Sequence, residues 1–393
     1  MSENTVDDEA KAGLGNAQAG LLVLAFSVFA AVATEMLPVG LLPEIADSLE
    51  ISEARTGLLV SLYAGMVAVL AVPLTIATRR IPRKRLLLIG MGVYAASNLV
   101  SALAPGFAAL AVGRAIGGAT HALFISVAIG YAARLVPPRL TGQALALASA
   151  GVSLGFVLGV PLTTALGNAA GWRVAFGALV VLMVVALVLI AVVLPDVGER
   201  AAAAAAGSGH RRRMTTVIAS NTLAWIGHFT LYTYISVLLL RAGAPSGAVG
   251  PLLLVFGTFG LLGVWLGAPW LDRAPRHSAL VILALVALGI GAAGAASAHL
   301  GWVVAAGVVW SLAWGPVASL YQSAAVRSHA TTPELAGAWI NATCNIGIAV
   351  GAVLGGQVLE VAGIREVAWL ALAIVLPAIA VIALGRRAFP ARA

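Results

Sequence analysis

Twelve apolar stretches of about twenty residues follow one another along this chain with little between them, a spacing that few folds accommodate. A segment of that length crosses the hydrocarbon core of a bilayer as a helix, because each backbone polar group must find its partner within the segment. The spans are predicted at 20–42, 56–77, 86–104, 107–131, 142–167, 172–194, 215–240, 247–270, 278–297, 300–326, 334–359 and 365–385. Hydrophobic residues make up 61% of the 393 and charged ones 10%, far from the usage of soluble domains. The expected fold class is an all-α membrane protein of twelve transmembrane helices.

The basic residues orient it. With the N-terminus cytoplasmic, 18 of the 23 Lys and Arg fall on inside segments, among them the cluster Arg79, Arg80, Arg83, Lys84 and Arg85. Outside segments hold Arg55, Arg173, Arg241 and Arg365, and Arg114 lies within a span. The positive-inside rule therefore puts both termini in the cytoplasm of a multi-pass membrane protein. The formal net charge of +8 sits in short loops, so it argues for topology and against a nucleic-acid partner. Cys344 is the single cysteine, so no intrachain disulfide and no metal cluster is expected. The acids Glu3, Asp7, Asp8 and Glu9 have the wrong sign for a secretory leader, and residues 1–18 are read as a disordered cytoplasmic tail. With 21 Arg against 2 Lys and abundant Ala, the chain looks like the product of a GC-rich bacterial genome, which suggests the inner membrane.

A polar, low-complexity segment at 195–214, with an Ala run and Arg211–Arg213, divides the spans six and six. The expected organisation is a six-helix bundle over 19–194, a cytoplasmic linker over 195–214, a second bundle over 215–386 and a tail over 387–393. Internal repetition supports two pseudo-symmetric halves. Arg79-Arg80-Ile81-Pro82-Arg83-Lys84 and Asp272-Arg273-Ala274-Pro275-Arg276-His277 align at an offset of 193. Gly151, Gly155 and Gly159 in span five match Gly347, Gly351 and Gly355 in span eleven. Four-residue spacing puts each set on one helix stripe, where neighbouring backbones can approach closely.

These features resemble the major facilitator superfamily over essentially the whole length. Arg83-Lys84-Arg85 is similar to its loop two–three motif, Leu110-x-x-x-Arg114-x-x-x-Gly118 to its span-four motif, and Gly151-x-x-x-Gly155-x-x-x-Gly159-x-Pro161 to the antiporter motif of drug:proton exporters. Thr34-Glu35-Met36-Leu37-Pro38-Val39-Gly40, His121-Ala122-Leu123-Phe124, His228-Phe229-Thr230-Leu231-Tyr232 and Asn345-Ile346-Gly347-Ile348 resemble the bacterial sugar-efflux and chloramphenicol-exporter branch. One departure stands out: where the first loop motif begins with Asp the chain has Arg79, while the second copy keeps Asp272. The resemblance implies a proton-driven exporter with pseudo-twofold halves, and assigns Arg83, Arg85, Gly151, Gly155, Gly159, Pro161, Asp272 and Arg276 to its conformational motifs.

Ionisable residues inside a membrane are costly and therefore functional candidates: Glu35 in span one, Arg114 and His121 in span four, His228 in span seven. Span depth puts Glu35 and Arg114 level with each other, about 10 Å below the outer surface. Two readings stay open: Glu35 carries a coupling proton whose charge Arg114 senses, or the two form a permanent ion pair. His121 follows Arg114 by two helical turns on the same face, and either lines a cavity and joins Glu35 and Arg114 in proton coupling or is a hydrogen-bonded packing residue. For substrate, the expected contacts are His121, Trp225, His228, Tyr232, Trp314, Asn341 and Asn345, aromatic and polar groups near the midplane, with Trp225, His228 and Tyr232 on one helical stripe of span seven and Trp314 on a stripe of span ten.

Gly151-x-Ser153-x-Gly155 matches a hydrolase nucleophile pattern, but it falls in an uninterrupted apolar helix where that motif cannot form its strand-to-helix turn. No phosphate-binding Gly-Lys-Ser/Thr loop is present. The chain is thus expected to be no enzyme, to need no cofactor, and to act as a monomer on a small molecule, protons and lipid. An importer on the same fold is the nearer alternative, and a non-transporting membrane receptor the remoter one. Pro38, Pro43, Pro73, Pro161 and Pro316 are expected to bend or end helices.

Overall fold

A backbone compelled to satisfy its own polar groups forms helices, and the computed structural model of the chain is built of them. It describes residues 3–137, 140–197, 211–331, 333–385 and 388–389, and no strand occurs among these. The helices before the linker are α1 (Glu3–Gly40), α2 (Leu42–Ser48), α3 (Glu53–Ala77), α4 (Arg83–Ala102), α5 (Phe107–Ala132), α6 (Thr141–Leu154), α7 (Val160–Ala170) and α8 (Trp172–Val193). After it come α9 (Arg211–Tyr232), α10 (Ile235–Arg241), α11 (Ser246–Arg273), α12 (Pro275–Ala295), α13 (Leu300–Trp314), α14 (Val317–Arg327), α15 (Pro333–Val361) and α16 (Ile364–Leu384). Among the described residues, eleven helical stretches are long and apolar enough to cross a membrane, and twelve if α9 and α10 count as one bent span.

Three expectations change. Helix α1 starts at Glu3, so the backbone read as a disordered tail continues span one. Span five is not uninterrupted: a π-turn over Gly155–Gly159 joins α6 to α7, still without the turn a nucleophile motif needs. Span seven bends by 41° between α9 and α10. There the Thr233 hydroxyl donates back to the Phe229 carbonyl at 2.7 Å, a bond that competes with the helix ladder. Most of the expected linker, 198–210, and the tail beyond 389 lie outside the described residues. Of the prolines expected to bend or end helices, Pro38 and Pro73 sit inside helices, Pro43 and Pro161 in first turns, and Pro316 at the break between α13 and α14.

The glycine stripes do the same work twice. A Cβ at Gly151, Gly155 or Gly159 would strike Ala25, Val32 or Ala33 of α1. A Cβ at Gly347, Gly351 or Gly355 would strike Trp225, Ile226 or Thr230 of α9. Span five thus lies against span one as span eleven lies against span seven. Gly351→Leu is expected to cost about 1–3 kcal/mol or more by overpacking. Gly65→Leu, where nothing lies within 4 Å of the new Cβ, is the control. Size-exclusion profiles after purification should separate them, the first losing its monodisperse peak.

The two sets of helices are fastened together at the end opposite the arginine-rich loops. Arg241 pairs with Glu53 at 3.5 Å, and the Asn168 amide donates to the Ser246 carbonyl at 2.7 Å. The Ser236 hydroxyl donates to the Val39 carbonyl at 2.9 Å, which Pro43, four residues on, cannot satisfy. Tyr234 lies against Gly57 and Gly356 and donates its hydroxyl to the Ala352 carbonyl at 2.8 Å. A Cβ at Gly57 would fall on that hydroxyl. Gly57→Ala is therefore expected to loosen this end, and a cysteine introduced at Ala54 in a Cys344→Ser background should then label several-fold faster with an impermeant maleimide.

Candidate functional site

Two buried clusters occupy the interior, one in each half. In the first half the cause is a proline. Pro38 has no N–H for the Thr34 carbonyl, one turn earlier in α1. Arg114 of α5 supplies the donors instead: Nη1 to the Thr34 carbonyl at 2.5 Å and Nη2 to the Glu35 carbonyl at 2.6 Å, with Nε toward the Leu59 carbonyl at 3.5 Å. Its guanidinium also lies 4.2 Å over the Tyr63 ring, and the residue is 1% exposed. The permanent ion pair left open by the sequence is replaced by a clamp on backbone carbonyls. Arg114 and Glu35 do meet, as their depths predict, but through the main chain of Glu35.

The Glu35 carboxylate faces His121 instead, with Oε2 3.6 Å from Nε2. His121 Nδ1 is 3.0 Å from the Tyr63 hydroxyl, and its ring meets those of Tyr63 and Tyr94 edge-on. Asn98 of α4 donates to the Thr34 hydroxyl at 3.1 Å and to the Tyr94 carbonyl at 3.0 Å. Four helices, α1, α3, α4 and α5, thus hold one carboxylate and one imidazole in a buried polar cluster. Tyr63, Tyr94 and Asn98 were not among the predicted residues. The Thr34 carbonyl that Pro38 leaves without a helix partner is a sequence signal that could have pointed here.

In the second half lies a cavity of about 200 Å³, walled by α9, α11, α13 and α14 and closed on one side by α6 and the π-turn. Trp225, His228, Tyr232 and Trp314 line it, as the helical stripe predicted, together with Trp310 and, from the first half, Phe156. His228 is packed face to face with Trp314, ring centroids 3.6 Å apart at 6°, and with Tyr232 at 4.9 Å and 22°. Trp225 stacks on Phe229 at 5.6 Å and meets Trp314 edge-on at 5.2 Å. Ser153, the central residue of the misleading nucleophile pattern, is part of this wall.

Three predicted substrate contacts fall elsewhere. His121 is 6% exposed and held between Glu35 and Tyr63, so it belongs to the polar cluster and not to the cavity wall. Asn345 turns its amide back to the Asn341 carbonyl at 3.0 Å, one helical turn away, and neither asparagine lines the cavity. Asn341 is exposed while Asn345 is buried, although the two lie one turn apart on the same face of α15. Of the conformational-motif residues, Arg83 and Arg85 open the first turn of α4. Arg276 donates to the Ala383 carbonyl at 2.8 Å, capping the end of α16. The Asp272 side chain lies outside the described residues.

The comparisons agree with this architecture. The Major Facilitator Superfamily profile matches residues 24–339. A chloramphenicol efflux pump of Mycobacterium tuberculosis is 38% identical over 360 residues, covering 86% of each chain. A probable sugar efflux transporter of Mannheimia succiniciproducens is 30% identical over 353 residues, covering 89% of each. Among solved structures, a bacterial homologue of the human lysosomal transporter Spinster, in an inward-facing and occupied conformation, superposes with a TM-score of 0.75 at 16% identity, over 94% of this chain and 96% of that one. With paired glycine stripes, an all-helical multi-span body and a profile match over most of its length, the chain belongs to the major facilitator superfamily of membrane transporters.

Proposed function

We propose that this transporter is a proton-coupled antiporter that exports small organic compounds by alternating access, as a monomer in the bacterial inner membrane with both termini cytoplasmic. The observation that carries the reading is the Glu35 carboxylate, buried and 3.6 Å from His121 Nε2 while the nearby guanidinium is committed to backbone carbonyls. An acid so placed, inside a membrane-spanning bundle where a fixed charge is costly, is suited to exchanging a proton as the halves move. Export is favoured by the relatives named as efflux pumps. The fastened end bears the few outside arginines of the charge count, so the state described is read as inward-facing, with the cavity served from the cytoplasm. Opening the other way requires the Ser236, Asn168 and Arg241 contacts to part, and these supply the bistable element.

The test is reconstitution into liposomes carrying an imposed pH gradient and an entrapped pH dye. Chloramphenicol, the compound in a relative's name, is the first solute to add. Proton movement that begins with solute and stops in protein-free liposomes is expected. Solute transport with no accompanying proton movement would reject the coupling.

A further inference from the structure

The aromatic cavity differs from the acid-bearing cluster in one respect that bears on what it accepts. Among the described residues that line it, none is Asp, Glu, Lys or Arg. A charged solute entering such a space loses hydration with no fixed charge to replace it. The polar groups with a fixed direction all point one way. Trp310 Nε1–H donates to His228 Nδ1 at 3.0 Å. Indole nitrogen is a donor only, so Nδ1 must be the bare nitrogen and the ring proton sits on Nε2. Trp225 adds a second donor: the residue is 8% exposed and lines the cavity, yet its Nε1–H is buried with no acceptor. Buried donors are nearly always paired, so an orphan on a cavity wall calls for an acceptor from elsewhere. The remaining polar lining, the hydroxyls of Ser153, Tyr232 and Ser311, can rotate to suit either role.

We propose that this cavity selects uncharged, flat aromatic solutes that bring a hydrogen-bond acceptor to the indole N–H of Trp225 and the Nε2–H of His228, with Trp310 as the positioning residue that fixes the His228 tautomer. The inference rests on the transport reading for its purpose, but the selectivity is a property of binding alone. The stacked rings favour a planar π-surface over the puckered, hydroxyl-rimmed ring of a pentose, whose outward donors meet no fixed acceptor here. A cation gains from ring faces but finds both directed dipoles turned against it. Discrimination by an unmet donor is sharper than discrimination by size, since a ligand lacking the acceptor leaves a buried polar group bare.

The experiment is equilibrium dialysis of the full chain in nanodiscs, with empty discs as the blank. The probes are 2-acetylnaphthalene, its carbon isostere 2-isopropenylnaphthalene, 2-naphthylmethylammonium, 2-naphthoate and xylose. The ketone is expected to bind about 5–10-fold tighter than the isostere, the increment of one hydrogen bond, and the two ions and xylose more weakly than either. Trp225→Phe should narrow the gap between ketone and isostere by weakening the ketone several-fold more than the isostere, which a general loss of folding does not do. Trp310→Phe should also narrow the gap and let 2-naphthol, a donor, gain on the ketone. Equal affinity of ketone and isostere in the parent chain, or an ion binding as tightly as the ketone, overturns the proposal, as does a gap of unchanged size in Trp225→Phe. None of these readouts depends on protons: selective binding without proton movement refutes the coupling and leaves this inference standing, and the converse result separates them the other way.

Discussion

Glu35→Gln is expected to abolish uphill export: in liposomes with an imposed pH gradient, the solute ratio across the membrane should fall to unity. The substitution keeps size and shape, so α1 and the clamp on its carbonyls stay intact. What changes is the single carboxylate opposite His121, 3.6 Å away, which becomes an amide unable to release a proton. Gradient-driven transport then has no carrier for the proton, while solute exchange at equal pH should persist, because the aromatic cavity lies apart from Glu35. That split between uphill transport and exchange distinguishes loss of coupling from loss of fold. A variant that still concentrated solute at the parent rate would move the proton site elsewhere in the molecule.

Arg114→Met should be the most destabilising single change in the first half. It removes the donors to the Thr34 and Glu35 carbonyls at 2.5 and 2.6 Å and the cation over Tyr63. Pro38 guarantees that the helix itself cannot repair the first of these. Bare carbonyls in a water-free interior cost several kcal/mol, and about 3 kcal/mol or more is expected here. Arg114→Lys keeps the charge but presents its donors from one point, so it should recover only part of the loss. Thermal unfolding of the purified protein should place the variants in the order Arg, Lys, Met. Equal midpoints for all three would mean that the clamp contributes nothing to stability.

The fold was largely legible because membrane crossing constrains composition so strongly. Span positions, the proline breaks and the paired glycine stripes all follow from residue type and spacing. The bend at Thr233 and Tyr234 was not legible, because it depends on a side-chain bond to the preceding turn and on Tyr234 reaching the Ala352 carbonyl from the far side of the sequence. The site was legible in part. The stripe Trp225, His228, Tyr232 predicted its cavity because all three lie on one helix face, where period alone suffices. Depth correctly placed Arg114 beside Glu35, but charge counting favoured carboxylate over carbonyl as its partner, and the missing N–H of Pro38 decided otherwise. His121 was credited with both roles, and packing against Tyr63 settles it in the polar cluster. Asn341 and Asn345 do not line this cavity, because which helices wall it depends on how α15 is placed, which spacing does not reveal.

The acid cluster is confined to α1, α3, α4 and α5, and the box of rings is built mainly from α9, α11, α13 and α14, with no residue shared between them. On the proposed reading, cargo and fuel are encoded by different stretches of the gene. A lineage could then drift from one family of exported chemicals to another by exchanging indoles and phenols around His228, while its energy source goes along unchanged.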